Sequence, residues 1–210
     1  MWATILMGDV KGSGNHDPIL LANALKNLVA AANADCRAKI LSPLTITLGD
    51  EFQGLCHSVD DAVDVVLELD HLLLTSDHEF RMRFIVLEGM IDTPINRDTA
   101  YGMLGRGLSE ARKRISDKAA DRANTQFQLA DPKQQRTLSL VFEVIDEAWD
   151  LPAYQKNRRI LDRLLFTDDD DRSVAEDFGK NRSEIWKYRK NWRIRSFRAA
   201  ITLVRERLYK

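Results

Sequence analysis

The chain has 210 residues, is 44% hydrophobic and 30% charged, and carries a formal net charge of −1, which is the profile of a soluble globular protein of one or two domains. No apolar run approaches the length of a membrane span, and "MWATILMGDVKG" lacks a basic n-region, so neither a membrane anchor nor a secretory leader is expected. Cys36 and Cys56 are isolated and the four histidines (His16, His57, His71, His78) lack metal-ligand spacing, which points to reduced thiols in a cytoplasmic protein with no zinc, haem or flavin.

In chain order, "WATILM" is an apolar strand ending at Gly8-Asp9, followed by the loop "GSGNHDP". Asp17-Pro18 reads as an N-cap with proline at N1, opening the helix "PILLANALKNLVAAANA". "PLTITLG", the turn acids Asp50 and Glu51, and "FQGLC" form a hairpin. "SVDD" is a capping box for the helix "AVDVVLELDHLLL". "FRMRFIVLEGMI" is a strand, "DTPINRDTAYG" a loop, and "GLSEARKRIS" a helix. "TQFQLA" is a short strand and "PKQQRTLSLVFEVIDEAW" a closing helix. The order β-α-β-β-α-β-α-β-α predicts an α+β, ferredoxin-like (palm-type) domain over 1–149, with a mostly antiparallel sheet and its helices on one face.

In a β-α-β-β sheet of this type strand 1 is central and lies beside strand 3. Asp9 at the end of strand 1 and Asp50 and Glu51 at the hairpin tip can therefore converge. Carboxylates meeting there make an all-oxygen site suited to two Mg²⁺ or Mn²⁺ ions, which can activate a hydroxyl and stabilise a leaving phosphate oxygen.

"GDVKGS" resembles the strand 1 metal motif of class III nucleotide cyclases. "LGDEFQG" is similar to the hairpin of that superfamily and reads G-D-E-F as in diguanylate cyclases. "LSPLTITLGDEFQG", together with a C-terminal helix-turn-helix, resembles the SatD family over nearly the whole chain. The resemblance implies a nucleotide-cyclase-like domain in which Asp9 ligates both metals with the carbonyl of Val10, and Asp50 is the second shared ligand. Glu51 is a further metal candidate. Lys11 and the backbone of Gly12-Ser13-Gly14 would meet a triphosphate, with the N-terminus of the following helix adding its dipole. Arg112, on the helix where cyclases carry an asparagine and an arginine, would complete a catalytic set with Asp9 and Asp50. Leu108 stands four residues before Arg112, where the asparagine would be. No P-loop motif is present.

Residues 1–154 carry 15 Lys+Arg and 23 Asp+Glu (net −8), and 155–210 carry 16 and 9 (net +7). The stretch 150–157 reads as a linker and 158–210 as a helix-turn-helix domain. In "RSVAEDFGKNRSEIWKYRKNW" the small residue Ala175 lets two helices approach, Gly179 serves the turn, and Ile185 anchors the second helix. "RILDRLLF" would support the motif and "FRAAITLVRERL" close it. The second helix, from about Arg182 to Lys190, offers Asn181, Arg182, Ser183, Lys187, Arg189 and Lys190 to DNA bases and phosphates. "DDDD", 168–171, reads as a solvated loop that caps the first helix of the motif.

Three functions follow as alternatives. The favoured expectation is a DNA-binding transcription regulator whose metal-dependent domain senses a nucleotide. Alternatively the chain is an active nucleotide cyclase or nucleotidyltransferase acting on nucleoside triphosphates, with the tail as a localising module. The third alternative is an inert dimerisation scaffold. Class III sites are completed across a dimer and helix-turn-helix proteins read paired half-sites, so a homodimer is expected.

Overall fold

The computed structural model describes the chain except residues 77–79, 118–122, 152, 154, 155, 209 and 210. Five strands form one sheet: β1 (Trp2–Lys11), β2 (Ile40–Leu48), β3 (Glu51–Cys56), β4 (Arg81–Met90) and β5 (Thr125–Gln128). Their spatial order is β2-β3-β1-β4-β5. β1, β2, β3 and β4 pair antiparallel, and β5 adds to β4 in parallel. With α1 (Pro18–Asp35) and α2 (Val59–Thr75), the first four strands make the ferredoxin-like β-α-β-β-α-β arrangement that the sequence pattern predicts.

Strand alternation gives the sheet two apolar faces. Leu6, Val10, Phe52, Phe84 and Val86 share a cluster with α1, α2 and α4 (Pro132–Asp146). Ile5, Met7, Leu55, Ile85 and Leu87 share the other with α3 (Arg106–Ser116), through Leu108, Ala111 and Ile115. The expectation that the helices lie on one face is thus corrected. β4 and β5 are parallel, so the chain must cross over between them, and α3 makes that crossing on the face that α1 and α2 leave open. Close approach of α3 needs two glycines. A Cβ on Gly89 of β4 would stand 2.7 Å from Gly107 Cα.

The local caps form as the sequence indicates. The Asp17 carboxylate accepts from the Ile19 and Leu20 N–H groups, and Ser58 accepts from the Asp61 N–H. The last helix of the first half is α-helical only to Asp146 and continues as a 3-10 turn over Glu147–Asp150.

Beyond it lie α5 (Arg158–Phe166), α6 (Asp171–Asp177), α7 (Arg182–Asn191) and α8 (Ile194–Arg205). The expected linker over 150–157 lies partly outside the described residues. α5 packs on α2 and α8 on α4, so the core that begins under the sheet continues through Leu161, Val174, Ile185 and Val204. α6 and α7 are joined by a turn in which Gly179 takes φ +60°, while Ala175 and Ile185 are buried between them. Among the described residues no helix is long and apolar enough to cross a membrane.

Candidate functional site at the end of the sheet

Asp9 is 3% exposed near the end of the central strand. Its neighbours are fixed by register: Glu51 is level with it on β3, and Arg83 on β4. Alternation sends all three to the α3 face, because Met7, Ile85 and Leu55 lie there. The Arg83 guanidinium is ion-paired with the Asp9 carboxylate. Arg83 Nε, although buried, has no hydrogen-bond partner among the described residues.

Two residues along β3 from Glu51, Gln53 ties the site to its surroundings. Its Nε2 donates to the Ala100 carbonyl in the loop between β4 and α3. Its Oε1 accepts from the Arg112 guanidinium at 3.4 Å. Arg112 therefore reaches from α3 onto the face that carries Asp9 and Glu51. Leu108, one turn earlier on α3, is buried in the core beneath it.

The other sequence candidates fall in different places. Asp50 lies in the hairpin turn, one step beyond the Asp9 level, and its carbonyl accepts from the Val10 N–H at 3.0 Å. The Val10 side chain is fully buried on the opposite face. Lys11 Nζ donates to Asn124 Oδ1 at 2.6 Å. Burial lowers the Lys11 pKa, and nearby Arg81 lowers it further. Gly12 turns the chain at φ 66°, and Ser13–Asn15 form a short 3-10 helix. The Asp17 cap supplies an acceptor to the first N–H groups of α1, so a phosphate at that helix end would meet a carboxylate.

Arg83 and Gln53 are the site residues that sequence reasoning misses. A signal for Arg83 was present in "FRMRF", where arginines alternate with core residues in a strand that must be buried.

The donors suit a hard cation, because Asp9, Glu51, Asp50 and the Val10 carbonyl offer only oxygen. Among the described residues, however, no group of three or more His, Cys, Asp or Glu side chains is placed to hold an ion. Arg83 supplies a positive charge beside Asp9.

On the C-terminal helices, Arg182, Ser183, Lys187 and Lys190 are exposed. Asn181 is spent on capping α7, exchanging hydrogen bonds with Glu184. Arg189 is paired with Asp171 and also donates to the Asp169 carbonyl. Asp170 caps α6, as its sequence implies, but the rest of the acidic run is more than a solvated loop. Asp168 pairs with Arg198 on α8 and Asp169 with Arg163 on α5.

A family model described as the SatD family matches residues 5–198. No curated protein matches the chain. Solved structures similar to it include the catalytic core of a rhodopsin-guanylyl cyclase with converted specificity in complex with ATPalphaS. It is 14% identical, with TM-score 0.40, over 55% of this chain and 72% of that one. The guanylate cyclase domain of RhGC from Catenaria anguillulae, in complex with GTP, is 14% identical with TM-score 0.39, over 55% and 72%. A dimeric guanylyl cyclase domain of the RhoGC fusion protein from Blastocladiella emersonii is 12% identical with TM-score 0.42, over 55% and 73%.

Proposed function

This chain belongs to the SatD family, and we propose that its sheet-end site binds a nucleoside triphosphate with Mg²⁺ or Mn²⁺ and turns it over as a nucleotide cyclase or nucleotidyltransferase. The observation that supports this reading is the placement of Asp9, Glu51 and, through Gln53, Arg112 on one face, from three elements far apart in sequence. Asp9, the hairpin acids Asp50 and Glu51, and the Val10 carbonyl would hold the cation. When bound, the cation supplies charge that stabilises phosphate oxygens and activates a hydroxyl. Arg112 binds and orients phosphate, with Gln53 holding its guanidinium. Lys11 is engaged by Asn124 and would have to leave it to contact a phosphate; Gly12, Ser13 and Gly14 would border the site through backbone.

Incubation with each nucleoside triphosphate and Mn²⁺ should release pyrophosphate from at least one of them. Asp9→Ala should abolish the release together with Mn²⁺-dependent nucleotide binding in calorimetry. Unchanged nucleotide affinity in Asp9→Ala ends this reading. Two-fold homodimerisation belongs to the same proposal, and a strictly monomeric mass in light scattering with and without nucleotide would contradict it.

A second reading, regulation of transcription through DNA, is favoured by one observation. α6, the Gly179 turn and α7 have helix-turn-helix form, and α7 presents Arg182, Ser183, Lys187 and Lys190 outward. Lys187→Ala should weaken binding to all duplexes and lower the salt slope by about 1. Arg189→Ala should act through stability instead, since Asp171 holds that side chain. Absence of any duplex shift at low salt removes this reading and leaves the first untouched.

A further inference from the structure

The geometry points to Arg83 as a partner-exchanging residue: it neutralises Asp9 in the free protein, and transfers to the phosphates when a cation takes its place on Asp9. The inference rests on the metal–nucleotide reading of the same site and adds to it a residue and a coupling.

Three features carry it. First, both partners are withdrawn from water, with side-chain exposures of 12% for Arg83 and 4% for Asp9. Neither charge can be left alone there without a large desolvation penalty. Second, Glu51 and Arg83 are both level with Asp9 on the same face, one on each neighbouring strand. A divalent cation entering by itself would have to displace Arg83 from Asp9, placing like charges side by side. A polyphosphate entering by itself would set its charge against two carboxylates. Entering together, the cation takes Asp9 and the phosphate takes Arg83, so neither member of the buried pair gives up an opposite charge. Third, Arg83 keeps a donor in reserve. A guanidinium has five N–H groups in a planar fork that matches phosphate oxygens, and its buried Nε has no acceptor among the described residues. Arg112, bound to Gln53 on the same face, supplies a second guanidinium for the same anion.

Exchange makes a prediction that a merely structural role does not, because removing Arg83 must push the two ligands in opposite directions. Mn²⁺ alone would be titrated into full-length wild type and Arg83→Met and read by the paramagnetic resonance of free Mn²⁺. Inorganic tripolyphosphate, which needs no base recognition, would be titrated calorimetrically in excess Mg²⁺. The expected result is Mn²⁺ binding about tenfold tighter in Arg83→Met and tripolyphosphate binding about tenfold weaker, within the usual range of site coupling. Adding Asp9→Asn to Arg83→Met should remove the gained Mn²⁺ affinity, which locates it. Arg83→Lys guards against a folding defect, because it keeps a buried cation but loses the fork. It should hold Mn²⁺ affinity within about twofold of wild type and still weaken tripolyphosphate. Losses of both ligands in Arg83→Met, or unchanged Mn²⁺ affinity, overturn the exchange. Pyrophosphate release by wild type under those circumstances would leave the nucleotide reading standing without it.

Discussion

Asp9–Arg83 and Asp168–Arg198 are both carboxylate–guanidinium pairs, yet the side chains of the first are 4% and 12% exposed and those of the second 96% and 32%. The first joins neighbouring strands of one sheet; the second fastens an acidic turn to a surface helix. Burial makes the difference. At the sheet end the partner's charge is the main compensation for lost hydration, whereas at the surface water competes for both ions and salt screens them. A buried pair is thus costly to break from one side and open to exchange for another charge of the same sign. A surface pair contributes little either way, typically ~0.2–1 kcal/mol.

The largest expected effect breaks the buried pair from one side. Arg83→Met should lower unfolding stability in denaturant by about 3–5 kcal/mol, because it removes the guanidinium paired with the buried Asp9. Asp9→Asn in the same chain should recover much of that loss. Equal stabilities for the single and double variants would show that Asp9 is balanced by another group.

Next comes the other cluster of buried titratable groups, under the opposite face. Asp146 is pushed up to about 7, chiefly by burial and against the hydrogen bond from the Thr125 N–H. Asp70 is also raised, by full burial and then by the nearby Asp146 charge. Lys11, bonded to Asn124, faces Asp146 from β1. A carboxyl that titrates higher in the folded state favours folding most when protonated. Its contribution is complete below the unfolded pKa near 3.8 and falls as pH rises through 7. Stability should therefore decline by a few kcal/mol between about pH 4 and 7 from Asp146. Asp146→Asn should flatten that slope in thermal melts, and an unchanged slope would place the proton elsewhere.

A smaller effect is expected where burial is intermediate. His71 Nδ1 lies 2.6 Å from Asp162 Oδ1 and links α2 to α5. The hydrogen bond to Asp162 raises the His71 pKa. That tie is fully present below the unfolded value near 6.5 and is lost as pH climbs through the raised one. His71→Gln should remove the part of the pH dependence above 6.5. Smallest of all, Asp168→Asn should cost no more than about 1 kcal/mol and become silent in high salt. A loss comparable to that of Arg83→Met would collapse the distinction between the two pairs.

Much of the architecture is legible in the sequence, because the signals involved are local. Asp17-Pro18 and Ser58 with Asp61 each announce a helix start, and each cap forms. Strand boundaries are less sharp. β2 begins at Ile40, ahead of the Pro43 where the pattern opens, because its edge position tolerates a proline and register shifts. Ala175, Gly179 and Ile185 mark the turn between α6 and α7 for the same local reason. Of the candidate site, the acids at 9, 50 and 51 and the arginine at 112 could be singled out from motif and position. Gln53 could not, since its importance lies in contacts with Ala100 and Arg112, distant in sequence.

The sequence by itself therefore determined the order of strands and helices, their caps, the acids at the end of the first strand and at the hairpin, and the basic character of residues 155–210. Alternation, capping and turn chemistry act between residues a few positions apart. Only the tertiary structure decided that α3 crosses to the opposite face, that Glu51 lies level with Asp9, that Arg83 supplies the neighbouring charge, and that Asp171 holds Arg189. Each of these depends on strand register or helix packing. Such contacts join residues from 18 to 74 positions apart, set by the burial of apolar faces and the pairing of charges once the chain has closed on itself.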